Sequence, residues 1–405
     1  MKSLFTNTLH HLSIYIYFII FGFLCLGVFS ISNFDFFPSL FLFFSVLSVS
    51  YFLLVYYKPL MNPTLKFLTE FTISDNVQKL VIYFLVVITP IFIIYHWFVL
   101  GGVPTLRGFA SHNSFEIYQL RNSVTKASPF VNYMYSFESK AILPFLIMYL
   151  YKTRSKLFYP MLIIGSAYGL SLVMKSIVIS ILLPVGIYCV FDRKFITAAI
   201  ILLITILGLF MLTFCANPAL RGGDTYQPNG KKTEMQQPTS VFTSANNSFK
   251  GLKNRVIYIP GKTVAYWFLC IPKHAPFLHG DGYKPIAKLK GRPFRDYSTE
   301  LYQYIYPTWY AQGFRGTVNC ASFMYDFANF ANWGMVMSGI ILAILFYVMY
   351  LLNRYNLPAS TSMNVIHYLM ISSSSLTTMM FSGGWGIFLA LFLLTKDKFK
   401  EDIEV

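Results

Sequence analysis

Long apolar runs separated by short basic connections constrain this chain more than any other feature. A helix needs about 20 predominantly apolar residues to cross the hydrocarbon core of a bilayer. Such runs occupy residues 12–30, 36–56, 80–100, 195–215 and 334–352. The run 141–151 is shorter and needs residues 133–137 to complete a crossing. Residues 157–191 are too many for one span and carry Lys175 in the middle, which predicts a hairpin of two short helices turning there. Residues 363–381 and 385–395 predict a last hairpin turning at Ser382-Gly383-Gly384. The expectation is an all-α integral membrane protein with about ten transmembrane helices. Composition agrees: 56% of the residues are hydrophobic and 12% charged, against about 25% charged in an ordinary soluble domain.

Orientation follows from the short connections, because Lys and Arg collect on the cytoplasmic side. Lys152, Arg154 and Lys156 share one connection; Arg193 and Lys194 share another; Lys58, Lys66 and Lys79 surround a third; Lys396, Lys398 and Lys400 lie in the tail. With ten spans these fall on one side together with Lys2 and Arg354, so both termini are expected in the cytoplasm. No small-residue cleavage site ends the first run, which predicts an uncleaved span. The chain then divides into helices 1–7 with an outward loop at 101–140 (residues 1–215), a large outward loop (216–333), and helices 8–10 with the tail (334–405).

The large loop holds fourteen Lys/Arg against six Asp/Glu. Long loops escape the positive-inside rule, and an outward cationic surface attracts anions such as phosphates and pyrophosphates. Residues 216–247 read as a flexible tether, while 249–330 are apolar and aromatic enough to fold onto the membrane surface. Cys270 and Cys320 both lie in this loop, as a disulfide or as two free thiols. No internal repeat is visible, which weakens a transporter reading.

Several residue types could carry chemistry. Arg121 and Lys126 follow the turn Gly101-Gly-Val-Pro104; a guanidinium presents a planar fork that matches phosphate oxygens, but an interfacial arginine also snorkels. Lys175 either faces a cavity or marks the tip of a hairpin. Arg255 and Arg315 sit singly among apolar and aromatic residues, unlike the basic run Lys288, Lys290, Arg292 and Arg295. Trp309 and Tyr310 belong to a dense aromatic stretch that could stack on sugars or anchor at the interface. Candidate acids and bases are His274, His279, Asp281, Glu300, Asp326, Glu116 and Glu138. The outward segments hold no Walker A, HExxH or DxD pattern, so no metal and no cofactor is expected.

The layout resembles the bacterial oligosaccharide repeat-unit polymerases of the O-antigen polymerase (Wzy) type. Three passages carry it: Gly101-Gly-Val-Pro followed by Arg121; Leu172-Val-Met-Lys175-Ser; and Asn254-Arg255 in a large loop, followed by Asn319 through Asn329-Phe-Ala-Asn-Trp-Gly334 leading into the next span. The resemblance implies a GT-C-like fold of ligase/polymerase type. It also implies metal-independent glycosyl transfer at the periplasmic face of the bacterial inner membrane, with an undecaprenyl-pyrophosphate-linked glycan as donor and acceptor and a chain-length regulator as a possible partner. Carried onto this sequence, Arg121, Arg255, Arg315 and Lys175 would hold the pyrophosphate, Trp309 and Tyr310 would stack on sugar, and Asp326, His279 and Asp281 would be the candidate catalytic groups. Asn319 stands near the position where related ligases place a His, which favours polymerase over ligase. A lipid-linked oligosaccharide flippase, an O-antigen ligase and a membrane acyltransferase using His96 or His367 are the competing expectations.

Overall fold

The computed structural model describes residues 8–32, 34–57, 63–64, 66, 70–112, 114–125, 128–218, 254–311 and 313–399. Among these, every regular element is a helix. Five helical segments are long and apolar enough to cross a membrane: Leu12–Ser32, Phe37–Tyr56, Asp75–Ala110, Phe195–Ala216 and Ser322–Tyr355. Phe98, Ile196 and Leu53 are 81%, 80% and 66% exposed. Side chains this apolar belong against lipid rather than water. The chain is an all-α, multi-pass membrane protein.

Local sequence explains the helix starts. Pro38 occupies the first turn of Phe37–Tyr56, where its missing N–H costs nothing. Asp75 opens Asp75–Val99, where a negative charge suits the helix dipole. Ser128 caps Pro129–Phe137 by accepting from the Val131 N–H. The run 141–151 borrows the residues before it: Pro129–Phe137, the π-helical turn Glu138–Ile142 and Leu143–Lys152 follow one another without a gap. The expected hairpin is present as Phe158–Ser171 and Lys175–Phe191, with Val173 at φ +57° in the turn. The expected span 363–381 is not one helix. Leu357–Met370 ends before Ser372–Ser375, and Leu376–Met380 is a separate short helix; a run of serines is a poor helix interior because each hydroxyl competes for backbone groups.

The chain forms two compact units. The first comprises Met1–Phe67, Thr239–Arg354 and Tyr368–Leu376. Here two pieces of the expected surface loop pack beside spans. The helix Ile259–Cys270 lies against Leu12–Ser32 at a pair of glycines: a methyl on Gly261 would stand 2.2 Å from the Leu24 carbonyl oxygen and 2.7 Å from the Gly27 Cα. Small residues let helix backbones approach in this way inside membranes. Phe268 stacks on Phe36 with ring centres 4.6 Å apart.

The second piece is the start of Ser322–Tyr355. Its helical geometry breaks at Phe330 and Ala331, the latter at φ +54° and ψ −138°. The chain doubles back there, since a methyl on Gly334 would lie 2.0 Å from the Asp326 carbonyl oxygen. Residues 322–329 are thus a short arm beside the span that follows. Phe323 in the arm meets Phe43 at 4.5 Å and Phe21 at 6.1 Å. Further along the span, Phe346 meets Tyr17 at 5.1 Å, and Asn353 donates to the His10 carbonyl and the Ser13 hydroxyl. The Ser322 N–H donates to the Ile371 carbonyl at 2.9 Å, which ties down the foot of the arm.

The second unit comprises Leu68–Pro238, Tyr355–His367 and Thr377–Val405. Small residues again set the packing: Gly169 faces Val178, Gly165 faces Ile147 and Ile181, and Gly208 faces Leu170. Its interior is more polar than the sequence suggested. His96, Thr89, Glu138, Asn364 and His367 are all buried. His367 stacks flat on Trp385 at 5.2 Å, and the Trp385 indole N–H donates to Asn364 at 2.6 Å.

Candidate functional site

The first unit brings three of the sequence-derived candidates, His279, Asp281 and Asp326, onto one structure. The loop His279-Gly-Asp-Gly-Tyr283 is pinned on the upper end of the arm 322–329. Leu278 and His279 donate their N–H groups to the carbonyls of Ala328 and Asn329, both at 2.9 Å. The Asn329 side-chain oxygen accepts from the Gly280 and Gly282 N–H groups at 3.1 and 3.0 Å, while its amide donates to the Tyr325 carbonyl at 2.8 Å. A side chain at Gly282 would collide with the Asn329 carboxamide, 2.6 Å away. His279 and Gly280 adopt φ +49° and +98°, and glycine takes such angles without strain.

Tyr283 leaves the loop with its ring stacked on Phe330 and its hydroxyl donating to the Asp326 carboxylate. Burial, and then the Asp326 charge, push the Tyr283 phenol well above its ordinary range, so it stays a donor at any working pH. Asp326 is half-buried and is also approached by the Ser338 hydroxyl. Asp281 turns one carboxylate oxygen to Arg292 at 3.5 Å; the other is buried without a hydrogen-bond partner.

Beside this loop runs an apolar groove of about 440 Å³ lined by Phe277, His279, Phe330, Ala331, Trp333 and Met337. Cations edge it. The Lys290 ammonium donates to the His279 carbonyl, and a methyl on Gly280 would be 3.3 Å from that ammonium and 3.6 Å from the Phe330 ring. Lys284, Lys288 and Arg292 are exposed on the same stretch. Arg295 forms a two-point ion pair with Glu300, and that hydrogen bonding raises its pKa further. An apolar trough with a histidine and an ammonium on its edge suits an amphiphile with an anionic head.

Other candidates lie elsewhere. Arg315 is held locally, its guanidinium donating to the Tyr310 and Phe314 carbonyls at 2.8 and 3.2 Å and lying over the Tyr310 ring at 3.9 Å. Trp309 packs edge-on against Phe314. None of Arg315, Trp309 and Tyr310 lines the groove. Arg255 falls in the π-helical turn Asn254–Tyr258, but its side chain, like residue Lys126, lies outside the described residues. Arg121 and Lys175 belong to the second unit; Arg121 is exposed on Ser114–Thr125, and Lys175 is half-buried at the start of its helix. Cys270 and Cys320 are both buried free thiols. Among the described residues no group of three His, Cys, Asp or Glu could hold a metal.

Sequence reasoning missed Asn329 and Tyr283 as organisers, while the basic run 288–292 is exposed, as a solvated face would be. Glu138, read from sequence within the segment 101–140, is buried in the π-helical turn Glu138–Ile142. His96, without a neighbour in sequence, bonds Tyr168 at 2.8 Å. Comparison with protein-family models, with characterised proteins and with solved structures finds no match for this chain.

Proposed function

We propose that the chain is a membrane glycosyltransferase of the repeat-unit polymerase type. It would join undecaprenyl-pyrophosphate-linked oligosaccharides at the periplasmic face of a bacterial inner membrane. The observation that carries this reading is the apolar groove edged by His279 and Lys290 in the first unit. The lipid-proximal part of the donor would lie along Phe330, Trp333 and Met337, and its pyrophosphate would meet Lys290, Lys288 and Arg292. As the bond from the sugar to the pyrophosphate breaks, negative charge grows on the leaving oxygen, and fixed cations stabilise it. The acceptor hydroxyl forms the new glycosidic bond and gives its proton to His279 at the groove edge. Asp326 and Tyr283 position the loop. Arg121, Lys175, Arg255 and Arg315 remain proposed as further outward cations.

The test is a deletion strain examined by polysaccharide gel, complemented with Lys290→Ala or His279→Ala. Deletion should leave lipid A–core capped with a single repeat unit. Each variant should lose chain elongation while remaining in the membrane, and normal elongation in both removes the groove from the mechanism. A flippase is the second reading, favoured by the buried polar interior of the second unit, since intramembrane polar side chains mark transport pathways. Lipid-linked repeat units accumulating on the inner face in the deletion strain would select it.

A further inference from the structure

The second unit contains a carboxyl group to which neither reading assigns a chemical step. Glu138 is 3% exposed and sits in the π-helical turn Glu138–Ile142, a local widening of the helix that recurs at functional sites. It faces Thr89, which lies in the middle third of the span Asp75–Val99 beside Pro90. Thr89 is close enough to act on the carboxyl. Yet neither the Thr89 hydroxyl nor the Glu138 Oε1 completes a hydrogen bond of good geometry.

The surrounding groups are proton carriers. Tyr168, from Phe158–Ser171, lies within electrostatic reach of Glu138 and Tyr135. Its hydroxyl meets the His96 Nδ1 at 2.8 Å, the His96 ring faces Tyr135 at 5.4 Å, and the His96 Nε2 is buried without a partner. Lys140, two residues along, lies within electrostatic reach of His367 of Leu357–Met370. Lys175–Phe191 and Trp385–Phe399 also pack on this turn, with their titratable groups at helix ends: Lys175, Tyr188 and Cys189 on one, Lys396, Asp397 and Lys398 on the other. No cation forms an ion pair with Glu138 among the described residues.

We propose that Glu138 is a proton-binding site inside the membrane, taking up and releasing one proton that passes through the Tyr168 hydroxyl and His96. Protonation forms an O–H bond on one carboxylate oxygen, and the proton comes from the aqueous phase. An ionised carboxylate in this position is costly without a partner, so the neutral form is the resting one. A hard metal cation needs about six oxygen ligands; one carboxyl, one hydroxyl and two phenols are too few, which is why the ligand is a proton. The inference holds whether the protein transfers glycans or transports them.

The experiment is infrared difference spectroscopy between low and high pH on the full chain in lipid nanodiscs. Glu138 is the one buried glutamate among the described residues. A protonated-carboxyl band should shift on [13C]glutamate labelling of the unaltered protein, titrate with pH, and vanish in Glu138→Gln. His96→Ala should slow its exchange into D2O at least several-fold. A band absent from the labelled protein, a band unchanged over the whole accessible pH range, or one lost on adding sodium chloride at constant pH would each overturn the proposal.

Discussion

Asn329 uses both ends of its carboxamide on backbone: the oxygen holds two glycine N–H groups of the 279–283 loop, and the nitrogen holds the Tyr325 carbonyl. Asn329→Ala leaves those partners unpaired in a largely dry place. A net hydrogen bond contributes about 1 kcal/mol and an orphaned buried group costs more, so the expected loss is about 2–4 kcal/mol. A lower melting temperature in detergent and faster proteolysis between residues 277 and 295 would show it. Tyr283→Phe removes one hydrogen bond to a carboxylate and should cost about 1.5–3 kcal/mol, with chain elongation falling in parallel. None of this was legible in sequence, because Asn329 acts on residues 47 and 49 positions away. His279 and Asp281 were legible as candidates because of their residue type and the glycines beside them, and Asp326 because it stands just before a span. The need of the run 141–151 for residues 133–137 was legible; that the helical stretch starts at Pro129 and buries Glu138 on the way was not.

Among the elements, the glycine contact between Leu12–Ser32 and Ile259–Cys270 is the most exacting. Gly261→Ala puts a methyl 2.2 Å from a carbonyl oxygen. Overpacking of this kind costs about 1–3 kcal/mol or more, while Gly22→Ala in the partner helix Leu12–Ser32 meets nothing within 4 Å and should be neutral or mildly stabilising. The two melting temperatures, compared side by side, check the contact; equal values would refute it. Spans such as 12–30, 36–56 and 195–215 were legible because an uninterrupted apolar run has one solution in lipid. The helix Ile259–Cys270 was not. Its twelve residues are too few to register as a span, and the residue that seats it, Gly261, is recognisable only beside Gly27. The expected span 363–381 failed because average hydropathy hides a serine cluster that stops a helix.

At the scale of the whole molecule, the all-α membrane class followed from the long apolar runs, with composition in agreement, while sidedness rests on the distribution of Lys and Arg. Single cysteines replacing Leu289, which is 88% exposed, and Tyr57, which is 59% exposed, test it within the first unit. A membrane-impermeant maleimide added to spheroplasts should label Leu289→Cys and leave Tyr57→Cys unlabelled until the membrane is broken; the opposite pattern inverts the topology. The division of the chain into interleaved stretches carries a further consequence for biosynthesis. The arm that bears Asp326 and Asn329 is anchored at its foot by Ile371, more than forty residues downstream of that foot. A ribosome must therefore have passed Ile371 before that bond can form, and a nascent chain released just after Tyr355 would contain every residue of the groove without this tie at the foot of the arm.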